Sequence, residues 1–333
     1  MPATCSTPGT GSTVPRSNDS DHRVRVVVTG GAGFIGANLC RTLVATSGVD
    51  RVVALDDLST GSLANLEGVD GVEFVEGSIL DTGLLDRVVP GSSAIIHLAA
   101  RPSVPRSLAD PMATNEVNTT GTLRILEAAR HHGGPQVVVA SSSSVYGANP
   151  VLPKREDMTA MPVSPYAVSK LATESYALAY GHSFGLPTLA FRFFNVFGPL
   201  QAPDHAYAAV IPAFVAHALR GEPLPVHGDG GQTRDFTYVG TVCSVLADSI
   251  VRNVTDARPV NLAFGTRVSL LEVIGLIEQE LGRSLERTHS ETRAGDVRDS
   301  QADQGKLRRL FPDVRPIPLD EGLRATIAWF EES

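Results

Sequence analysis

The stretch TGGAGFIG at residues 29–36 decides the fold of this protein. It places Gly30, Gly33 and Gly36 at three-residue intervals, follows the apolar run VRVVV and opens the helix-like segment FIGANLCRTLVA. Glycine permits a tight turn and lets the backbone approach a pyrophosphate, which the N-terminus of a helix attracts. In this context the pattern predicts a dinucleotide-binding turn between a first strand and a first helix.

Strands and helices alternate downstream of that turn. Apolar runs typical of buried parallel strands occur in RVVALDD, VEFVEG, SSAIIHLAA, PQVVVASSS and LPTLAFRF, with helical segments between several of them. This alternation predicts an α/β fold: a Rossmann domain with a doubly wound parallel sheet, joined to a smaller mixed α/β C-terminal lobe.

The expected division of the chain into domains follows from its composition and from the alternation of predicted strands and helices. Residues 1–22 are rich in Ser, Thr, Pro and Gly and are interpreted as a disordered tail. The Rossmann domain is expected at residues 23–192, with a return segment at 236–264. Residues 193–235 and 265–333 are expected to form the substrate-binding lobe.

Two acidic residues follow the predicted second strand. Asp56 ends that strand, 20 residues after Gly36. A carboxylate at this position can accept hydrogen bonds from a ribose 2′-hydroxyl and would repel a 2′-phosphate, so NAD is favoured over NADP. The neighbouring Asp57 either shares this role or is simply solvated.

The motif SPYAVSK at residues 164–170 places Tyr166 and Lys170 four positions apart, on one face of a predicted helix. We expect Ser164 to cap that helix and Gly185 to end it. A nearby ammonium or a bound nicotinamide cation stabilises a phenolate, so we expect a lowered pKa for Tyr166. Such a pair can remove a hydroxyl proton as hydride leaves the adjacent carbon.

A run of serines, ASSSSVYG, ends the predicted fifth strand and contains Ser142, Ser143 and Ser144. Ligands of doubly wound sheets bind at the carboxyl ends of strands, so one serine there can share the substrate proton with Tyr166. Serines at a strand end can also be simple loop formers.

At this point the sequence resembles the extended short-chain dehydrogenase/reductase family. The resemblance is carried by the glycine turn, SSSSVYG and the Tyr166–Lys170 pair, and it covers roughly residues 23–330. RFFNVFGP and GDGGQTRDFTYV are similar to the nucleotide-sugar branch. Within that branch the chain resembles UDP-hexose 4-epimerases. SVPRS, AYAAVIP and GDVRDSQAD are most similar to the UDP-N-acetylglucosamine 4-epimerases.

The resemblance implies an activity. Tyr166 would take the O4 proton of a UDP-sugar while C4 gives hydride to NAD, and hydride would return to the opposite face of a transient 4-keto sugar. Ser142 would match the catalytic serine, with Ser143 and Ser144 as adjacent supports. The implied cofactor contacts are Gly30, Gly33, Phe34, Ile35, Gly36, Asp56, Asp57, Leu98, Ala99, Ala100, Tyr166 and Lys170.

The serines also separate this reaction from its relatives. Sugar 4,6-dehydratases carry Asp-Glu where this chain has Ser143 and Ser144, and UDP-glucuronate decarboxylases keep a Glu at the position of Ser144. The absence of a carboxylate there favours epimerisation, with a dehydratase or decarboxylase as the alternative.

Substrate contacts are likewise implied by the resemblance. Asn195 and Arg234 match residues that contact the sugar diphosphate, and Arg293 matches a second arginine on the phosphates. The alternative for each arginine is a surface salt bridge. Asp296 matches a residue on the uridine ribose, and Ser103 is a further expected contact.

Ser300 stands where epimerases restricted to UDP-glucose and UDP-galactose have a bulky tyrosine. Serine leaves room for a 2-N-acetyl group, so UDP-N-acetylglucosamine and UDP-N-acetylgalactosamine are the expected substrates. A smaller residue at this position admits larger sugars without excluding smaller ones, so activity on UDP-glucose and UDP-galactose is also expected.

Three positions depart from the family pattern. Ser78 replaces a frequent Asp that binds the adenine amine, and Pro102 replaces a lysine near the cofactor. Arg101 is unusual. It either favours an acidic sugar, which keeps a UDP-glucuronate 4-epimerase as an alternative, or points to solvent or to a cofactor phosphate.

The bulk composition limits other functions. A net charge of -8 without a basic block gives no reason to expect a nucleic-acid partner. Three scattered cysteines favour a reduced, cytoplasmic setting, and the nine histidines show no metal-ligand spacing, so no metal is expected. No apolar run reaches the roughly 18 residues of a membrane span. The family resemblance implies a homodimer.

Overall fold

The computed structural model describes residues 24–203, 209–291 and 298–332. The tail predicted at residues 1–22 lies outside the described residues, as do two of the expected substrate contacts, Arg293 and Asp296.

Within these ranges the chain forms thirteen strands and eleven α-helices. The strands are β1 (Arg25–Thr29), β2 (Arg51–Asp56), β3 (Val72–Glu76), β4 (Ala94–His97), β5 (Gln136–Ser142), β6 (Thr188–Phe193), β7 (Asn195–Phe197), β8 (Leu224–His227), β9 (Thr233–Arg234), β10 (Phe236–Tyr238), β11 (Val260–Leu262), β12 (Val268–Ser269) and β13 (Arg287–Ser290). The helices are α1 (Phe34–Val44), α2 (Thr82–Val88), α3 (Val104–Ala109), α4 (Pro111–Asn115), α5 (Gly121–His131), α6 (Pro165–Phe184), α7 (Val210–Arg220), α8 (Val239–Val251), α9 (Leu270–Leu281), α10 (Gly305–Leu310) and α11 (Leu319–Glu332).

Seven strands form one parallel sheet in the order β11-β6-β5-β4-β1-β2-β3. The predicted doubly wound parallel sheet is therefore confirmed. The strand order reverses between β1 and β4, and in such sheets ligands bind beyond the carboxyl ends of the strands at this switch point. The glycine turn follows β1 at that edge.

Burial on both faces of the sheet explains the unbroken apolar runs in the sequence. Val26 and Val28 of β1 belong to a core cluster with Leu39 of α1 and Leu246 of α8. Val27 points to the other face, into a cluster with α2, α5 and α6. A strand that buries both faces has no polar alternation.

The second lobe has its own core. Residues of α7, α9 and α11 pack together with β8 in a separate cluster. Three two-stranded sheets accompany it: β10 with β7, β12 with β9, and β13 with β8. β11 nevertheless pairs with β6 of the main sheet, so the chain crosses between the two lobes. The exact lobe boundaries stay a prediction.

The helix that carries Tyr166 begins and ends as predicted. The Ser164 side chain accepts a hydrogen bond from the Ala167 N–H, and Gly185 ends α6 in the left-handed conformation. Within the described ranges no helix is both long and apolar enough to cross a bilayer.

Candidate active site

A cavity of about 370 Å³ lies at the carboxyl ends of β1, β2, β4 and β5. We call it the first cavity. Its walls come from segments far apart in the sequence, between Gly30 and Gln201. Among the residues that line it are Gly30, Gly33, Phe34, Ile35, Gly36, Asp56, Asp57, Leu98, Ala99, Ala100, Ser142, Tyr166 and Lys170. The lining thus brings together all the expected cofactor contacts and Ser142, one of the three serines expected at the active site.

The glycine turn lines the first cavity. Gly30 adopts a φ of +70°, and a Cβ atom on Gly36 would lie 2.0 Å from the Gly30 carbonyl oxygen, so glycine is required at both positions. Among the residues that the structure describes, no side chain caps α1 at Gly33, and the first turn of α1 carries no acidic residue. Its free N–H groups and positive helix end therefore suit a phosphate group.

Asp56 is buried at the end of β2. One carboxylate oxygen accepts the Ala32 N–H at 3.0 Å and the other accepts the Leu58 N–H at 2.9 Å. Burial raises the pKa of this carboxyl, and these hydrogen bonds oppose the rise. Each oxygen keeps a lone pair for a hydroxyl of a ligand. Asp57 is exposed at the cavity wall, where it accepts the Ser59 N–H.

Tyr166 and Lys170 both line the first cavity. The Lys170 ammonium donates to the Ala140 carbonyl oxygen at 2.9 Å, and burial lowers the pKa of Lys170 to about 8. Tyr166 is half-buried, but its hydroxyl is enclosed. Burial raises the pKa of Tyr166, and a hydrogen bond with Ser142 opposes the rise. The direction is opposite to the predicted one, because desolvation of the phenolate outweighs the protein groups that stabilise it.

The other two serines occupy different surroundings. Ser143 and Ser144 lie in a short 3-10 helix at Ser143–Tyr146. The Ser142 side chain caps this helix by accepting a hydrogen bond from the Ser144 N–H. Neither lines the first cavity. The Ser144 hydroxyl is buried and has no hydrogen-bond partner among the residues described.

A buried histidine supports the cavity wall from behind. His97 Nδ1 lies 2.7 Å from the Thr29 hydroxyl, and Nε2 lies 3.1 Å from the Thr122 hydroxyl. Thr122 donates its proton to the Asn118 carbonyl, so His97 donates from Nε2 and accepts at Nδ1. Thr29 in turn accepts the N–H of Ala99, which lines the cavity. Burial, and secondarily Lys170, lowers the pKa of His97 to about 3, so the ring stays neutral.

An ion pair lies beneath Lys170. Glu174, one helical turn further along α6, binds the guanidinium of Arg192 through two hydrogen bonds of 3.0 and 2.6 Å, and both residues are buried. Ser141 links this pair to the helix, because its hydroxyl contacts both Glu174 and the Lys170 carbonyl oxygen. The pair joins α6 to β6 at the depth of Lys170.

A second cavity of about 190 Å³ adjoins the first, and Val196 lines both. Asn195 and Arg234, expected to contact a diphosphate, both line this second cavity. Arg234 donates to the carbonyl oxygens of Thr233 and Arg298 at 2.8 and 3.1 Å. The other residues that line the second cavity are mostly apolar. They include Phe236 and Leu270, which suit packing against a flat ring of a ligand.

Two expected substrate contacts lie outside the linings of both cavities. Ser103 caps α3 by accepting the Arg106 N–H, and it has a φ of +94°, which is strained for a residue with a side chain. Ser300 is half-buried, and its N–H donates to the Thr233 carbonyl oxygen at 3.1 Å. It follows the segment 292–297, which contains Arg293 and Asp296 and lies outside the described residues.

The structure also bears on the departures from the family pattern. The guanidinium of Arg101 lies 3.5 Å from Asp110 and is partly exposed. Ser78 does not line the first cavity and accepts the Leu80 N–H, whereas Pro102 does line it.

Several lining residues were not selected from the sequence. Phe193, Phe194, Val196 and Gln201 come from the stretch RFFNVFGPLQ, from which only Asn195 was chosen. The aromatic pair Phe193–Phe194, at the end of a predicted strand, is a usable signal. The Gln201 side-chain oxygen is buried and, among the described residues, has no hydrogen-bond partner. It is therefore suited to accept a hydrogen bond from a ligand.

Within the described ranges no group of three or more His, Cys, Asp or Glu side chains is arranged to hold a metal ion.

Comparisons with known proteins give consistent matches. A profile described as the NAD dependent epimerase/dehydratase family matches residues 26–263. The chain is 38% identical over 317 residues to a UDP-glucose 4-epimerase of Mycolicibacterium smegmatis, covering 92% of this chain and 98% of the relative. It is 33% identical over 324 residues to a UDP-glucuronate 4-epimerase of Thermodesulfobacterium geofontis, covering 92% and 96%.

Solved structures agree. The fold is similar to that of a UDP-N-acetylglucosamine 4-epimerase from Methanobrevibacter ruminantium in complex with UDP-N-acetylmuramic acid. The TM-score is 0.87 and the sequence identity 33%, and the match covers 93% of this chain and 99% of that one.

Proposed function

The chain belongs to the NAD-dependent epimerase/dehydratase family, and from this premise we propose that it inverts C4 of a UDP-sugar. The predicted family and the cofactor NAD are both confirmed by the family match. The proposal for the reaction depends mainly on one observation: Tyr166, Lys170 and Ser142 line the same cavity as the glycine turn.

The residues of the first cavity fit NAD. We propose that the open N-terminus of α1, with Gly30, Gly33 and Gly36, holds the pyrophosphate and that Asp56 accepts a ribose hydroxyl. When bound, NAD supplies the hydride acceptor and donor that a transient 4-keto sugar requires. Its cationic ring also favours a phenolate, an effect that offsets the burial of Tyr166.

The protein's own residues handle the proton. Tyr166 takes the proton of the sugar O4 hydroxyl and later returns it, and Ser142 shares that proton because the two side chains are hydrogen bonded. Lys170, fixed by the Ala140 carbonyl, supplies positive charge on the same helix face. The Glu174–Arg192 pair holds α6 at the depth where these groups act.

The identity of the neighbouring residues favours epimerisation over elimination. A dehydratase or decarboxylase has to move protons at further carbons, and the resemblance assigns that work to carboxylates at the positions of Ser143 and Ser144. Here these positions carry hydroxyl groups outside the lining of the first cavity. A sugar dehydratase or decarboxylase is therefore the weaker candidate.

We propose UDP-N-acetylglucosamine and UDP-N-acetylgalactosamine as the main substrates, with UDP-glucose and UDP-galactose also accepted. Ser300 supports this choice through its small side chain. The second cavity, with Asn195 and Arg234, is the proposed place of the nucleotide and its diphosphate. The relatives are named for different UDP-sugars, so the choice of sugar depends on Ser300 and not on overall similarity.

UDP-glucuronate is the alternative substrate. The argument for UDP-glucuronate is that Arg101 could pair with the carboxylate of the sugar. Because Arg101 lies near Asp110, which already offers a counter-charge, the structure weakens this case.

We also propose a cytoplasmic homodimer. Leu108, Met112 and Val168 are 65%, 77% and 54% exposed, and they lie on α3, α4 and α6, which pack against one another. Exposed apolar side chains on helices that pack against one another suit a second copy of the chain. Cys40 and Cys243 are free buried thiols, which fits a reducing compartment.

The test is direct. Purified protein is incubated separately with UDP-N-acetylglucosamine, UDP-glucose and UDP-glucuronate without added reductant, and NMR follows each C4 epimer. The proposal expects epimerisation of the first two, with the N-acetylated sugar preferred. Formation of only the glucuronate epimer, or release of water or carbon dioxide, would contradict it.

A further inference from the structure

Asp235 is a buried carboxylate that the proposed reaction does not use. It lies between β9 and β10, directly after Arg234, and it is 0% exposed. Burial raises the pKa of this carboxyl to about 6. A carboxylate without water costs folding free energy unless its oxygens are hydrogen bonded. The hydrogen bonds it makes therefore indicate what it does.

Among the described residues, Gly265, Thr266 and Ala302 donate hydrogen bonds to the Asp235 side chain. One oxygen accepts the N–H groups of Ala302 at 2.9 Å and Gly265 at 3.1 Å. The other oxygen accepts the Thr266 hydroxyl at 2.8 Å. These donors belong to two segments distant in sequence: the loop after β11 and the segment that precedes α10. One carboxylate thus binds both segments to the stretch 233–238, which contains β9 and β10.

The backbone around Asp235 leads to the second cavity. The Asp235 carbonyl oxygen accepts the Asn195 N–H at 3.2 Å, and β10 pairs with β7 so that Phe236 lies opposite Asn195. Arg234 precedes Asp235 directly, and both Arg234 and Asn195 line the second cavity. Ser300 lies two residues before Ala302, and its N–H donates to the Thr233 carbonyl oxygen.

We infer that Asp235 is a positioning residue for UDP-sugar binding. Its carboxylate holds the loop at residues 265–266 and Ala302 against the stretch 233–238, in which Arg234 ends β9 and β10 pairs with the strand of Asn195. This inference rests on the proposed function, because it takes the second cavity to be the nucleotide site. It goes beyond that function by assigning substrate affinity to a residue that lies behind the site.

A specific division of effects follows. Tyr166 and Lys170 lie on α6 and Ser142 ends β5, and none of the hydrogen bonds of Asp235 within the described residues reaches either element. The glycine turn and Asp56 belong to β1, α1 and β2. Loss of the carboxylate should therefore weaken binding of the UDP moiety while the chemical step and NAD binding persist.

The experiment compares UDP affinity by calorimetry, bound NAD by absorbance, and KM and kcat with UDP-N-acetylglucosamine. The variants are Asp235→Ala, which removes all the side-chain bonds, and Thr266→Val, which removes one donor and keeps the carboxylate. We expect Asp235→Ala to bind UDP at least about ten-fold more weakly, with KM raised similarly and kcat and bound NAD nearly unchanged. Thr266→Val should show a smaller loss in the same direction.

Asp256→Asn is the matched control. The Asp256 carboxylate accepts a hydrogen bond of 2.7 Å from the Lys306 ammonium. This bond joins the chain before β11 to α10, and neither residue lines the second cavity. This variant should lower thermal stability without changing UDP affinity. If Asp235→Ala does not fold, Thr266→Val and Asp235→Asn, which keeps the side-chain shape, carry the test with the same expected direction.

Two results would overturn the inference alone: variants that bind UDP as tightly as the unaltered protein, or variants that lose kcat and NAD in step with UDP affinity. An unaltered protein that binds no UDP would overturn the proposed function as well.

Discussion

At the scale of single residues, Tyr166 shows how far surroundings modify an intrinsic property. Its helix spacing to Lys170 is local, but its pKa depends on enclosure by distant segments, and burial raises that pKa. Lys170 is affected as well, because burial lowers its pKa to about 8. The pKa of the proposed base therefore depends on the segments that bury it. Ser142 and the cofactor oppose the rise that burial causes.

Replacing Tyr166 by Phe tests the base directly. The variant keeps the ring but has no hydroxyl to take the O4 proton, so we expect kcat to fall by at least about 100-fold, with bound NAD retained. NMR of the epimer ratio over time measures the rate. Tyr176→Phe is the control, because Tyr176 lies on the same helix and is partly exposed. An unchanged rate in the Tyr166 variant would exclude this residue as the base.

His97 predicts a dependence of stability on pH. Its usual pKa is 6.5, and in the folded protein it is lowered to about 3. Between these values the unfolded chain binds a proton that the folded protein does not, so stability is full above pH 6.5 and falls as the pH falls toward 3. From pH 7 to pH 5 this contributes a loss of about 2 kcal/mol in the free energy of unfolding.

Urea unfolding at the two pH values measures this effect in the unaltered protein and in His97→Asn. The variant removes the titrating ring, so its loss between pH 7 and pH 5 should be smaller by about the same amount. An equal loss in both proteins would show that His97 does not titrate as described.

At the scale of elements, two helices show what a local pattern can and cannot predict. The spacing of Val117, Leu123, Leu126 and Ala129 indicates a helix between the fourth and fifth predicted strands. The structure contains α4, a π-helical turn at Glu116–Thr120, and α5 in direct succession. The turn places Val117 in the lining of the first cavity and Asn118 in contact with Arg101 and Ser169. Such turns often occur at functional sites, and apolar periodicity does not reveal them.

The start of α1 can be tested with one methyl group. Gly36→Ala places a Cβ atom 2.0 Å from the Gly30 carbonyl oxygen, so the turn has to open. We expect the purified variant to lose bound NAD and to melt at a lower temperature. Absorbance of released NAD and a thermal scan provide the measurements.

Gly275→Ala is the control for that change. Gly275 lies within α9, and a Cβ atom there would meet nothing within 4 Å. Alanine should raise stability by roughly 0.5–1 kcal/mol and leave NAD bound. If both variants retained NAD equally, the close contact between Gly36 and the Gly30 carbonyl would not be needed for NAD binding.

At the scale of the whole molecule, the proposed dimer depends on an exposed apolar surface. Replacing both Met112 and Val168 by Asp introduces charge into it, so we expect the dimer to dissociate at micromolar concentration. Light scattering after size exclusion measures the mass. Leu63→Asp, at an exposed apolar position on a separate 3-10 helix, should leave the mass unchanged. A monomeric unaltered protein would contradict the proposal.

Much of the molecule could be predicted from its sequence, because the informative features are local. The glycine turn, the Tyr166–Lys170 spacing and the apolar runs depend on the geometry of single turns, helices and strands. The parallel sheet follows from their alternation, and the family match agrees with it. Other residues that line the first cavity, such as Leu98, Ala99 and Ala100, are expected only because of the resemblance to the family.

The tertiary structure alone decided the rest. Asp235 joins residues 195, 265, 266 and 302, and Arg101 pairs with Asp110. The direction of the pKa change at Tyr166 likewise required knowing what encloses the hydroxyl. Desolvation and long-range hydrogen bonds depend on which distant segments pack together, and no spacing along the chain encodes that directly.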